Sequence, residues 1–483
     1  MTLTLAITPP EAAPRRSPAL YALAFAVTLL LVLVAVNSKF NHDEIEHAHS
    51  AWYVAQGALP YRDFFEHHHP LLWYLAAPLF KLMADDESVL IVLRMVMVAM
   101  SLGTAATAAA VARRLSAKPG AALTCYILLL SCMMFTRMGV EIRPDVPMVM
   151  LETLSLYYFL RALDSSAMKH VVLCGVCAAV AYWFLQKALF FVAALSLLTI
   201  IAVVRKELRG RAALVLLACV GGGIALLFLV FASHGALHDY YLTNFLVNKR
   251  KLSSFSTLRS MHPMWVSLAA NSGFWLLGAA GVGIGLASFK RGSRVGYVAL
   301  LGLLLYLSVV RVDRPWEQYY LPALVMLAVV GAWTLTHLSD WVRPKIAGIL
   351  RFMLLASVAL VTLLALHKYA TNRNAAQLAR IRYATQTTKP DDLVYDGDAN
   401  FNVFRKDLHY FWFSTRPNWN LSFYNRLTSN RFGDYDICSL LAEKQPVLIA
   451  DTMIDRDRCP AFRYYQQDEQ AKAFRLYRRV EGP

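Results

Sequence analysis

Charge is what this sequence has least of. Only 17% of its 483 residues are Asp, Glu, Lys or Arg, against 57% hydrophobic, and the mean hydropathy is +0.43. That balance is the signature of a multi-span membrane protein, not of a soluble globule. No small-residue cleavage pattern follows the first apolar run, Ala19–Val36, so it reads as a retained span behind Arg15 and Arg16. Cysteine is scarce in polar sequence, where only Cys438 and Cys459 lie, and no spacing fits a zinc finger or an iron–sulfur cluster. Also missing are a repeat of fixed period, a low-complexity tract and two matching halves. The last absence weighs against a transporter or lipid flippase, the competing class, whose marks are duplicated halves and charges at mid-span.

The formal charge of +16 does not name a nucleic-acid partner. Many of the Lys and Arg lie in short loops between apolar runs, which is how a membrane protein is oriented. Pro70–Met83 is short of the ~20 residues needed to cross the hydrocarbon, and is expected to lie along the membrane or re-enter, because every later basic loop then falls on the side of the N-terminus. The spans are then Ala19–Val36, Val89–Val111, Ala121–Thr136, Val146–Leu163, Val171–Leu185, Ala188–Val204, Ala212–Phe231, Met264–Ala287, Val295–Val310, Tyr319–His337 and Ala347–His367. The expected fold is an all-α polytopic membrane protein of about 11 transmembrane helices with a small C-terminal α/β extracytoplasmic domain.

The expected divisions are a disordered cytoplasmic N-terminus (1–18), a transmembrane domain (19–367) whose outer loop spans 37–88, and a periplasmic domain (368–483). In that last part Leu393–Tyr395 and Val447–Ala450 read as strands and Asp436–Lys444 as a helix. Cys438 and Cys459, placed in an oxidising compartment, are expected to pair.

The chemistry concentrates between Asn37 and Leu82, which carries Asp43, Glu44, Glu46, Asp63, Glu66 and six histidines between long apolar runs. Carboxylates beside a bilayer lose hydration and need partners, so this density marks a site. Asp43 and Glu44 open an expected helix that lies on the membrane with its acidic end exposed. Asp43 with Glu46 could form a capping box, but that accounts for one carboxylate, not three. His67, His69 and Glu66 form the metal-ligand alternative, against an anion-contacting cluster. Arg143, Lys187 and the Lys249–Arg250–Lys251 knot are the cations of the same face. Lys187, accompanied only by Gln186 between apolar runs, is best explained by a bound anion.

The Asp-Glu pair after the first span, Gly57, Pro60-Tyr61-Arg62-Asp63 and His69-Pro70-Leu71-Leu72 resemble the first outer loop of membrane glycosyltransferases of the GT-C fold. The nearer branch includes the protein O-mannosyltransferases and the lipid A aminoarabinose transferases. Arg143-Pro144-Asp145, Gln186-Lys187 and Tyr319-Tyr320-Leu321-Pro322 are similar to later signatures of that superfamily. Leu71 stands where many relatives have a second proline, and His69 where aminoarabinose transferases have lysine, so that substrate is not implied.

The resemblance implies transfer of a sugar from a polyprenyl-phosphate donor to a glycan, lipid or protein acceptor on the outer face of the inner membrane. It implies no nucleic acid and no required cofactor, with a divalent cation compatible. The residues fit that chemistry independently: a phosphate leaving group needs cations and not a general acid, so one carboxylate base suffices. Asp43 is the expected base with Glu44 positioning it; Lys187, Arg62, His69 and Arg143 are the expected phosphate ligands; Glu46, Asp63 and Tyr319 are the expected sugar or acceptor contacts.

Overall fold

The structure is a computed structural model that describes residues 18–480 apart from 117, 166, 250–261, 290–291, 311, 313–314, 414–420, 429–430, 432–435 and 468. Arg250 and Lys251 of the expected basic knot therefore lie outside the described residues, as do residues 1–17; Lys249 is exposed.

Ten helices lead through the first half: α1 (Pro18–Asn37), α2 (His42–Ala55), α3 (Leu71–Met83), α4 (Val89–Leu115), α5 (Ala121–Ser131), α6 (Met133–Met138), α7 (Asp145–Ser165), α8 (Met168–Phe184), α9 (Ala188–Val204) and α10 (Gly210–Ser233). After them come His262–Ala270, Ser272–Phe289, Val295–Val310, Leu321–His337 and Pro344–Tyr369. Among the described residues seven helical stretches are long and apolar enough to cross a membrane, and shorter apolar helices such as α5, α8, α9 and Val295–Val310 pack against them. Helix α3, 13 residues long with Pro78 inside it, packs on α2.

Two expected spans are interrupted. Ala121–Thr136 breaks at Cys132 and Met264–Ala287 breaks at Asn271. The two breaks face each other. Asn271 Oδ1 accepts from the Met133 N–H (3.0 Å) and its Nδ2 donates to the Ser131 carbonyl (3.1 Å), so one side chain satisfies backbone groups that the first break frees. Inside a bilayer an interrupted helix is tolerated only with such replacement partners.

The two ends of the bundle differ. At one end Arg114 and Arg294 share Asp164, Arg205 and Arg294 share Glu207, and Lys118 pairs with Asp340, gathering the basic loops. At the other end lie α2, α3 and the C-terminal segment. Gln377 exchanges hydrogen bonds with both backbone groups of Phe40, Asn37 donates to the Tyr369 carbonyl, and Arg405 pairs with Asp85 at 2.6 Å. The helix Ala375–Thr387 precedes a sheet of four short strands, β1 (Val394–Tyr395), β2 (Leu448–Ala450), β3 (Tyr465–Gln466) and β4 (Leu476–Arg479). Their order is β1-β2-β4-β3, with β1 parallel to β2 and the other pairs antiparallel. The expected helix begins at Ile437, N-capped by Asp436, whose side chain accepts from the Cys438 and Ser439 N–H groups. Cys438 and Cys459 are bonded.

This arrangement predicts accessibility directly. Single cysteines placed after Ala84 and after Lys118 should label from opposite sides of the membrane, the first from the side that carries Asp43. Labelling of both from one side would contradict the assignment of α3.

Candidate active site

Helix α2 owes its start to Asn41 and Glu44. The Glu44 carboxylate accepts from the Asn41 N–H (2.9 Å), the return half of a capping box, three residues from the cap. Asp43 is therefore not needed for capping. The same Glu44 is fully buried and takes a bidentate pair from Arg94 on α4, 2.8 Å to Oε1 and 2.6 Å to Oε2, while Oε1 also accepts from the Ile142 N–H (3.1 Å). Arg94 spends its remaining donors on the carbonyls of Ala35, Ser38 and Lys39. The acidic end of α2 is thus not exposed as expected. Glu44 and Glu46 are buried, and Asp43 keeps 22% of its side-chain surface.

Because Glu44 holds Ile142, the loop between α6 and α7 lies beside Asp43. Its approach depends on Gly139: a Cβ there would fall 2.7 Å from the Phe135 carbonyl oxygen and 2.8 Å from Ser101 Oγ. From this loop the buried Arg143 pairs through Nη2 with Asp43, donates from Nη1 to Glu141 (3.1 Å), and holds Nε 3.8 Å from Asp145. That last distance is too long for a hydrogen bond, which leaves Arg143 Nε without a partner. Asp145 accepts from Lys187 Nζ at 3.0 Å, and the same ammonium lies 3.7 Å from the centre of the Tyr319 ring. A small cavity of about 30 Å³ opens at this point, lined by Asp145, Glu152, Lys187, Ser308, Gln318 and Tyr319 among others.

Burial by itself would raise the Asp43 carboxyl, but Arg143, followed by His42, more than offsets it and holds Asp43 well below the usual carboxylate range. Burial instead dominates at Glu141, which Arg143 restrains only in part, and pushes it up to about 7.

A second cluster lies on the α3 side of Asp43. Ligand-type atoms of Glu46, His47, Glu66 and His68 all fall within 4.8 Å of one another. His68 Nδ1 stands between the carboxylates, 3.0 Å from Glu66 and 3.4 Å from Glu46. Glu66 also accepts from Ser50 Oγ and the His67 N–H, whereas Glu46 Oε1 has no hydrogen-bond partner although it is buried. Burial, and for Glu46 also the charge of Glu66, pushes both carboxyls up to about 8. This donor set fits a divalent cation through Glu46, Glu66 and His68. His47 is the weakest member, because its Nδ1 accepts from Trp73 Nε1 (3.2 Å) and its Nε2 then carries the proton. Of the alternative set expected from sequence, Glu66 lies in this cluster, whereas His67 and His69 do not.

His69 is turned away. Its Nδ1 meets the Tyr182 carbonyl, its Nε2 lies 3.0 Å from Tyr240 Oη, and burial pushes the ring down to about 3, so it is a neutral brace and not a cation for phosphate. Arg62, half-exposed, pairs with its neighbour Asp63, which also caps the Leu59 N–H; both act within a local turn. Sequence reasoning missed Arg94, although an arginine inside an apolar run is itself a signal. It also missed Glu141 and the buried Glu152. Nor did it foresee Asp407, which contacts His49 (2.6 Å) and Tyr53 (2.9 Å) from the C-terminal segment.

Residues 67–234 match the dolichyl-phosphate-mannose-protein mannosyltransferase family. No curated protein matches the chain. Among solved structures the chain is similar to ArnT from Cupriavidus metallidurans bound to undecaprenyl phosphate, at 14% identity and a TM-score of 0.65 over 90% of this chain and 93% of that one. The apo state of the same enzyme gives 14% and 0.66 over 95% and 97%. The oligosaccharyltransferase of Archaeoglobus fulgidus, in a complex with Zn and sulfate, gives 12% and 0.59 over 92% of this chain and 71% of that one. The chain has the GT-C membrane fold.

The Arg94 pair carries a stability prediction. Arg94→Met leaves Glu44 buried without its counter-charge and should destabilise the protein by roughly 3–5 kcal/mol. Adding Glu44→Gln to that variant should recover part of the loss. Thermal unfolding in detergent measures both, and an Arg94→Met protein that unfolds with the wild type would refute the role given to the pair.

Proposed function

We propose that this chain is an integral-membrane inverting glycosyltransferase that moves a sugar from a polyprenyl-phosphate donor to an acceptor hydroxyl at the end of the bundle that carries Asp43. The observation that carries this reading is the row Asp43–Arg143–Asp145–Lys187–Tyr319, in which a carboxylate not needed for capping pairs with a buried guanidinium and a second cation, Lys187, faces a cavity. The family match and the undecaprenyl phosphate named with the similar ArnT structure support the donor class.

In this mechanism the donor phosphate displaces Asp145 from Lys187 and takes the unpartnered Arg143 Nε. The acceptor oxygen attacks the anomeric carbon from the face opposite the phosphate, and the bond from that carbon to the phosphate oxygen breaks with its electron pair on the phosphate. Lys187 and Arg143 take up the developing charge. The acceptor proton passes to an Asp43 oxygen. Drawing Arg143 toward phosphate weakens the field that holds the Asp43 carboxyl low, so donor binding makes Asp43 a stronger base when it is needed. One displacement inverts the anomeric centre.

A divalent cation held by Glu46, Glu66 and His68 would neutralise the buried carboxylates beside the base; the Zn named with the archaeal structure accords with such a site. The reading places the protein in the inner membrane with its N-terminus cytoplasmic and residues 368–483 periplasmic, and leaves the sugar a hexose or a pentose.

Lys187 tests the donor half of the proposal. With purified protein and a polyprenyl-phosphate sugar, Lys187→Met should weaken donor binding or slow release of polyprenyl phosphate by roughly 10²-fold while the protein stays folded. Donor affinity and turnover both equal to wild type would remove Lys187 from the site.

A further inference from the structure

The cavity beside Lys187 holds one acidic group that the transfer does not use. Glu152 lies two turns after Asp145 on α7, so the two carboxyls share a face of that helix. Helical side chains lean toward the N-terminus, which turns Glu152 back toward Asp145. Both line the cavity, whose other walls include the apolar Phe190, Leu305 and Val309. Glu152 is buried, and its Oε2 has no hydrogen-bond partner among the described residues. Packing alone does not account for such a group, since an apolar side chain of the same size would fill the space without leaving an oxygen unsatisfied.

Its neighbours decide what charge it can carry. The titratable groups that face the same space are Asp145 on its own helix, Lys187 just ahead of α9, and Tyr319 just ahead of the helix Leu321–His337. Among the described residues Lys187 is the one cation of the lining, and Asp145 already engages it at 3.0 Å. An ionised Glu152 would therefore be an unpaired carboxylate inside a membrane-spanning helix, where such a charge is costly. It would also make the cavity negative and repel an anionic donor. As a neutral acid Glu152 does neither, and its hydroxyl is a hydrogen-bond donor.

Donor binding creates a need that this donor meets. When a phosphate takes Lys187, Asp145 loses its cation and is left as a buried carboxylate without a partner, which opposes binding. We propose that Glu152 is a positioning residue for the donor, and that its carboxyl hydrogen, through a water in the cavity, is donated to the displaced Asp145. The cavity of about 30 Å³ admits a water, for which roughly 10–15 Å³ suffices. No proton changes owner: the O–H bond stays on Glu152, and Asp145 stays ionised beside it. Asp145 returns to Lys187 when polyprenyl phosphate leaves. This rests on the donor reading of Lys187 and extends it to the residue that makes room for the phosphate.

The test is the pH dependence of donor binding. Wild type, Glu152→Gln, Glu152→Met and Asp145→Asn/Glu152→Met, each checked by thermal unfolding in detergent, are titrated with a methyl polyprenyl phosphodiester, whose single charge is constant across the neutral range. With methionine at 152 the displaced Asp145 has to take a proton from solvent. As pH rises, binding to Glu152→Met should therefore weaken about tenfold per pH unit more steeply than binding to wild type. Glutamine, neutral and able to donate, should restore the wild-type slope. Asp145→Asn, which removes the carboxylate to be accommodated, should abolish the effect of Glu152→Met. A Glu152→Met protein with the wild-type slope would overturn the assignment even if its affinity were lower, because lost packing would then explain the change. Glu152→Gln following Glu152→Met would overturn it too, and so would a Glu152→Met chain that fails to fold, since the group would then serve structure. Failure of wild type to bind the phosphodiester, or undiminished binding by Lys187→Met, would instead remove the donor reading, and this inference with it.

Discussion

The buried pair between Arg94 and Glu44 is the constraint on which the site depends. An ion pair with no exposed surface is worth little as net stability, because both charges are taken out of water. What it provides is position. Arg94 ties α4 to the carbonyls of residues 35, 38 and 39, Glu44 closes the first turn of α2, and the same carboxylate holds the Ile142 N–H. Three separate pieces of chain thus meet within one hydrogen-bond network, and Asp43 is left at its edge, free of capping duty and facing Arg143.

From that placement follows a division of labour along a single loop. Gly139 lets the loop lie close to Ser101, and the alternation of Glu141, Arg143 and Asp145 sets a carboxylate, a guanidinium and a second carboxylate in a row. The Glu46–Glu66–His68 cluster sits on the other flank of α2 and gives the buried acidic groups a place for a cation or a proton. The C-terminal segment roofs this assembly. Trp412 donates to the Phe65 carbonyl and Asp407 reaches His49 and Tyr53, so the polar last quarter of the chain contributes walls to the site.

Much of this was legible in sequence because membrane chains separate their chemistry from their mount. Asp43, Lys187 and Arg143 stood out since charge beside apolar runs needs a reason, and the length of Pro70–Met83 together with the basic loops that follow it argued against a crossing there. The strands at 394 and 448 and the bond between Cys438 and Cys459 followed from local pattern and compartment. What was hidden is tertiary. Nothing local tells that Glu44 pairs with a residue 50 positions away, that Asn271 mends a break at Cys132, or that His69 is enclosed by Tyr182 and Tyr240 and so kept neutral. The metal-capable set was misjudged for the same reason: adjacent histidines point different ways, and only the fold shows that His68 and not His69 turns toward the glutamates.

The central claim is that Asp43 takes the acceptor proton, and the most direct measurement is sugar transfer by Asp43→Asn from a purified polyprenyl-phosphate sugar, beside thermal unfolding of the same sample. Since Asn41 and Glu44 cap α2, the substitution keeps the helix and the shape of the side chain and removes only the capacity to accept the proton. The account predicts a folded protein that still binds donor and transfers ~10²- to 10⁴-fold more slowly. Transfer at the wild-type rate by folded Asp43→Asn would contradict it.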